Sequence, residues 1–122
     1  MSRIDVLGVS FDDLTMDEAV EIALGFMQER RACYACTPNP EIVMAAKGDA
    51  ALRAALSGSD LVLADGVGIT KGAAMLGTPL KSRVPGIDFA SNVISRLAQR
   101  GGSVYLLGAK PLVAEAAAEK LT

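Results

Sequence analysis

The sequence predicts an α/β domain: a mostly parallel, Rossmann-like sheet with helices on both faces. Three observations carry this. Short apolar runs alternate with stretches of helical periodicity, the pattern of βαβ units joined by right-handed crossovers. The apolar material is aliphatic, 51% of the residues being hydrophobic and only 4% aromatic, which suits parallel strands buried under helices. The glycines, prolines and aspartates cluster where one kind of segment gives way to the other.

In chain order, Ile4-Asp5-Val6-Leu7-Gly8-Val9 reads as a first strand, closed by Asp12-Asp13. Thr15 and Glu18 form a capping box, and Ala19, Ile22, Ala23, Phe26 and Met27 recur at helical spacing, so a helix should run to about Arg30. Arg31 to Thr37 is the second strand. In Thr37-Pro38-Asn39-Pro40 the prolines hold their neighbours out of the α region, and Pro40 opens a helix through Ala46. After Gly48-Asp49 a short helix covers Ala50 to Leu56, and Asp60 to Ala64 is the third strand. Asp65-Gly66-Val67-Gly68 feeds a helix from about Ile69 to Leu76, and Lys81 to Gly86 is a loop before a helix from about Ile87 to Gln99. Ser103 to Leu107 is the expected fourth strand, and Gly108 to Pro111 opens a last Ala-rich helix. The chain of 122 residues fits one domain. It looks like the N-terminal part of a larger one, because a sheet of roughly four strands is small for this architecture.

Several classes are disfavoured. A net charge of −2 without a basic run argues against a nucleic-acid partner. No apolar stretch reaches the roughly 18 residues of a membrane span, and the first residues lack a signal-peptide core, so a cytoplasmic protein is expected, with any membrane association peripheral. Cys33 and Cys36 have C-x-x-C spacing. On a strand, residues three apart face opposite sides, so the pair is read as packing and not as a redox dithiol.

In open α/β sheets ligands bind beyond the carboxyl ends of the strands. That rule selects the junctions Thr37–Asn39, Asp65–Gly68 and Gly108–Pro111. Asp65 ends an apolar strand, where a carboxylate can act as general base or simply cap the next helix. Gly66 and Gly68 remove side chains, so a ligand could approach the backbone. Thr37 and Asn39 could hydrogen-bond a sugar or satisfy their own turn. Arg83 is a forked donor suited to a diphosphate, and Asp88 could cap the following helix or pair with it. Gly66-x-Gly68-x-x-x-Gly72 departs from the dinucleotide spacing and falls on the wrong strand, a weak sign of NAD. With no histidine in the chain and no D-x-D grouping, no metal or other cofactor is expected.

Four motifs in order, Thr37-Pro38-Asn39-Pro40-Glu41-Ile42, Ala64-Asp65-Gly66-Val67-Gly68-Ile69, Arg83-Val84-Pro85-Gly86-Ile87-Asp88 and Val104-Tyr105-Leu106-Leu107-Gly108, together resemble the WecG/TagA/CpsF glycosyltransferases. The resemblance runs along essentially the whole chain. It implies an inverting transferase of the GT-E fold class. Its TagA-type members, of wall teichoic acid synthesis, move N-acetylmannosamine from a UDP-sugar to undecaprenyl-diphosphate-linked N-acetylglucosamine. By this resemblance Asp65 matches the general base and Thr37 and Asn39 lie beside the reacting sugar. Arg83 matches a basic residue facing the diphosphate, and Gly66, Gly86, Asp88 and Gly108 belong to the substrate-binding motifs. Family members carry a later Pro-Lys-Gln-Glu-type motif and a basic appendage that holds them at the inner face of the membrane; neither occurs here. Ala64 stands where relatives often have Pro. A half-domain of this kind exposes core surface, so self-association is expected.

Overall fold

The computed structural model describes residues 2–122; Met1, the first residue of the expected 1–122 domain, lies outside them. The fold is mixed α/β, with six helices and two small two-stranded sheets. The elements are β1 (Arg3–Val6), β2 (Val9–Asp12), α1 (Met16–Gln28), β3 (Ala35–Cys36), α2 (Pro40–Lys47), α3 (Ala50–Ser57), β4 (Leu61–Val62), α4 (Val67–Met75), α5 (Gly86–Arg100) and α6 (Val113–Leu121).

The first departure from expectation is at the start. Ile4 to Val9 is not one strand: β1 and β2 are an antiparallel hairpin in which Val6 faces Val9. Leu7 and Gly8 between them are both at positive φ, 52° and 93°, the conformation that a two-residue I′-type turn demands. The Asp5 carboxylate accepts from the Gly8 amide at 3.1 Å, closing the turn. The apolar run concealed this break, because Leu is a poor predictor of a left-handed residue.

A single parallel pairing, Ala35 with Leu61 and Cys36 with Val62, replaces the expected four-stranded parallel sheet. The pairing extends past the strand ends: the amides of Asp60, Leu63 and Asp65 donate to the carbonyls of Tyr34, Cys36 and Pro38. On the other edge of β4 the Val62 amide finds no strand. The carboxylate of Asp12 takes its place, accepting from Val62 N at 2.8 Å and from Arg3 Nε at 3.0 Å. Arg3 also donates to the Ser59 carbonyl at 2.6 Å. Asp12 is 3% exposed, so a buried charge here is both paired and hydrogen-bonded, as burial requires.

Residues 61–64 alternate between two cores, as a period of two dictates. Val62 and Ala64 join Val6, Val9, Phe11, Val43, Leu56 and Ile69 under α2, α3 and α4. Leu61 and Leu63 join Leu14, Ala19 and Val84, against which α1 and Phe89 of α5 pack. Coverage of β4 on both faces is therefore present, although the sheet is small.

The helix starts follow local chemistry. Thr15 and Glu18 form the expected reciprocal box. The Thr15 backbone amide bonded to its carboxylate, with further help from the Thr15 hydroxyl and Lys81, holds Glu18 below the ordinary carboxylate range. Asn39 and Asp49 cap α2 and α3 through Ile42 N and Leu52 N. Helix α1 stops at Gln28, short of Arg30, whose φ is 55°.

Ser103 to Leu107 is not a strand. An extended segment needs a partner for its backbone groups, and here none is hydrogen-bonded to it; Tyr105 and Leu107 are exposed. The last helix begins at Val113, after Ala109 and Leu112 at positive φ, and not directly at Gly108–Pro111. Cys33 and Cys36 are free, half-buried thiols, and Cys36 packs on the first core.

The Asp12 clasp makes a direct prediction. Asp12→Ala strands the buried Val62 amide while the exposed Arg3 guanidinium regains water, and the orphaned amide should cost about 1–3 kcal/mol. The measurement is urea unfolding; Asp12→Asn, which keeps one acceptor oxygen, should lose less.

Candidate active site

The site is built where β3 and β4 end. Leu63 and Ala64 are buried, and the next residue, Asp65, is half-exposed, so its carboxylate stands at the border between core and solvent. Its backbone amide donates to the Pro38 carbonyl at 3.4 Å, which ties the two strand ends together. On the far side the Val84 amide donates to the Ala64 carbonyl at 2.9 Å. That bond carries the Arg83–Gly86 loop alongside the strand and delivers the start of α5 to Asp65.

Gly86 is the first residue of α5, and its amide donates to Asp65 Oδ2 at 3.4 Å. The contact orients one carboxylate oxygen with a helix-start amide that has no partner inside its own helix. Thr37 closes on the same point: a Cβ on Gly86 would stand 2.8 Å from Thr37 Oγ1 and 3.1 Å from Thr37 Cβ. Glycine is required at 86 because Thr37 occupies the space a side chain would need. Thr37, Asp65 and Gly86 are thus brought together from three separate segments.

The other expected residues fall out as follows. Asn39 is adjacent in sequence to the buried Pro38, and its Oδ1 is used in capping α2 at 2.9 Å from Ile42 N. Its amide nitrogen carries the remaining donors. Gly66 is the N-cap of α4 at φ +99°, a conformation that L side chains rarely adopt. The absent side chain matters most at Gly68, where a Cβ would stand 2.8 Å from the ring of Pro40; one on Gly66 would stand 3.5 Å from it, in ordinary contact. These glycines admit a proline of the neighbouring junction, which the sequence alone did not reveal.

Arg83 is exposed and enters no ion pair among the described residues. It stands one residue from Val84, at the edge of the site. Asp88 neither caps α5 nor pairs with Arg83: the N-cap is Pro85, with no side-chain cap, and Asp88 is exposed in the first turn. Asp88 sits at N3, from which a carboxylate reaches back to the N-cap amide, but the N-cap is Pro85, which has no N–H to give. Gly108 is exposed at φ +122° with nothing within 4 Å of a Cβ placed on it. Without a fourth strand there is no strand end to present it. Among the described residues no three His, Cys, Asp or Glu side chains group as a metal set, and no helix is long and apolar enough to cross a membrane.

An α/β core covered on both faces, with a carboxylate at a strand's carboxyl end beside a helix start, is the kind of place where open α/β sheets bind ligands. Comparison with known proteins is more specific. Residues 4–122 match the family described as "Glycosyl transferase WecG/TagA/CpsF family", and the chain belongs to that family. It is 35% identical over 118 residues to the N-acetylglucosaminyldiphosphoundecaprenol N-acetyl-beta-D-mannosaminyltransferase of Staphylococcus aureus strain NCTC 8325 / PS 47, and equally to that of strain COL. The alignment covers 95% of this chain and 46% of each relative, so the chain spans about half the length of the curated relatives it matches.

The close approach at residue 86 is testable. Gly86→Ala should push Thr37 and Asp65 apart and cut activity of the intact protein by at least about tenfold, a loss of 1.4 kcal/mol or more, while the thermal midpoint moves little. Unchanged kcat/KM would mean that this contact has no part in the site.

Proposed function

We propose that this chain supplies the acceptor-activating part of an inverting glycosyltransferase. The enzyme moves N-acetylmannosamine, or a related hexose, from a UDP-sugar to undecaprenyl-diphosphate-linked N-acetylglucosamine. The observation that carries the proposal is the Asp65 carboxylate at the end of β4, oriented on one oxygen by Gly86 N and standing at the solvent border beside Thr37. The names of the relatives support the N-acetylmannosamine group and the lipid-linked acceptor, and the UDP-sugar donor is part of the proposal.

In this reading the second oxygen of Asp65 takes the proton of the acceptor hydroxyl as that oxygen attacks the anomeric carbon. The bond from that carbon to the UDP oxygen breaks, its electron pair leaves with the diphosphate, and the configuration inverts. Thr37 and Asn39 bracket the reacting sugar, and Arg83, a cation free of ion pairs, faces the charge that develops on the leaving diphosphate. Coverage of β4 on both faces fits a GT-E-type core. The acceptor is a lipid, so the enzyme works as a peripheral protein at the inner face of the membrane. Among the described residues the carboxylates do not gather as a metal set, and the proposal has transfer continuing in the presence of a chelator.

The test is Asp65→Asn in the intact protein. A positioned general base contributes about 10²–10⁴-fold. The expected outcome is therefore a kcat lowered by that factor, with the KM for the UDP-sugar and the melting curve nearly unchanged, and wild-type transfer insensitive to EDTA. A variant with full kcat would sink the base assignment. Nucleotide binding without transfer in the wild type would point to a binding module instead.

A further inference from the structure

We propose that the apolar furrow between α2, α4 and the β1–β2 turn receives the isoprenoid chain of the acceptor, close to where that chain joins its diphosphate. This rests on the lipid-linked acceptor of the preceding reading. The furrow encloses about 230 Å³. Its floor is Val6, Val43 and Ile69, and none of its lining side chains carries a charge or a hydrogen-bonding group. Its rim exposes Leu7 at 48%, Met44 at 56%, Met75 at 87% and Leu76 at 54%. So continuous an apolar rim on a water-facing surface marks a binding surface, and two of its members are methionines, whose flexible side chains adapt to an irregular chain.

Position and charge select the occupant. One end of the furrow is Pro40 and Gly68, at the starts of α2 and α4, the helices that leave the carboxyl ends of β3 and β4 where Asp65 also stands. From there it follows α4 along Gly68, Ile69, Gly72, Met75 and Leu76, one face of the helix. Lys71, three residues after Gly68 and four before Met75, borders that face, and Lys47 stands one turn beyond Met44. Both lysines are exposed and enter no ion pair among the described residues. Lys71 offers a cation near the Gly68 end and the uncharged lining suits an apolar chain, a match for an anionic amphiphile. Glu41 beside Pro40 and Lys47 at the far end of α2 are the other exposed charges of α2 and α4. A protein partner would need a far larger area and a polar rim.

The larger apolar groove, about 500 Å³ between α1, α5 and β3, is a poorer fit. Its lining includes Cys33, Tyr34, Ala35 and Leu61, so it lies toward the amino ends of the strands, away from Asp65.

Methyl NMR with ¹³C-labelled methionine separates these surfaces, because Met44 and Met75 line the furrow, Met27 lines the larger groove, and Met16 lines neither. Farnesyl diphosphate, below its micelle concentration, should shift Met44 and Met75 of the intact protein; inorganic diphosphate and UDP should not. Gly72→Leu provides a second arm. A Cβ at that position meets only Val6 Cγ1, at 3.7 Å, so the backbone accepts the side chain, which then occupies the furrow and should weaken farnesyl diphosphate at least about tenfold. A response at Met27 alone, or shifts of Met44 and Met75 that follow protein concentration and not ligand, would overturn the proposal in favour of the other groove or of a second copy. Silent Met44 and Met75 in an enzyme that still transfers sugar would remove the furrow and keep the transferase. Their response in a protein that transfers nothing would do the reverse.

Discussion

The buried carboxylate of Asp12 is the constraint on which the rest of the structure hangs. A two-residue parallel pair is too small to stand alone, and β4 has a strand on only one edge. On its other edge the Val62 amide would be buried without an acceptor, at a cost of about 1–3 kcal/mol. Asp12 accepts from that amide and from Arg3 at once, so one side chain docks the β1–β2 hairpin against β4 and neutralises its own charge. Residues 61–64 are then enclosed on both faces by two cores, as a parallel strand requires.

That enclosure is what positions Asp65. With Leu61 to Ala64 locked, the chain emerges from the core at Asp65, and the bonds from Asp65 N to Pro38 and from Val84 N to Ala64 hold three segments in register. The site thus borrows its rigidity from the backbone of its neighbours. Thr37, Asp65 and Gly86 lie 49 positions apart in sequence at their extremes (86 − 37), yet each sits next to a backbone bond that fixes it. Glycine serves here mainly to let other residues approach: Gly86 admits Thr37, and Gly68 admits Pro40.

The parts legible in the sequence are those with local causes. The capping box at Thr15, the proline-opened α2, the short α3 and the apolar run ending at Asp65 all announce themselves through propensity, caps and periodicity, and the placement of Thr37 and Asp65 at strand ends follows from the same runs. The failures have non-local causes. The hairpin turn places Leu7 in a left-handed conformation that its residue type disfavours. Ser103 to Leu107 has the composition of a strand but no partner to pair with, and with it Gly108 loses its strand end. The role of Asp12 depends on Val62, 50 residues away, and the occupation of the Gly66–Gly68 space by Pro40 depends on how two junctions pack. Composition holds no record of either contact.

The central claim is that the carboxyl ends of β3 and β4 form the ligand site, with Asp65, Thr37 and the start of α5 at its centre. The most direct measurement is an amide chemical-shift map of the intact protein titrated with UDP-N-acetylmannosamine. The account predicts that the largest perturbations fall on Thr37, Asp65, Gly66 and Gly86, with the amides of α1 unmoved. Perturbations confined to the groove between α1 and α5, or absent from all four of these amides at saturating ligand, would contradict it.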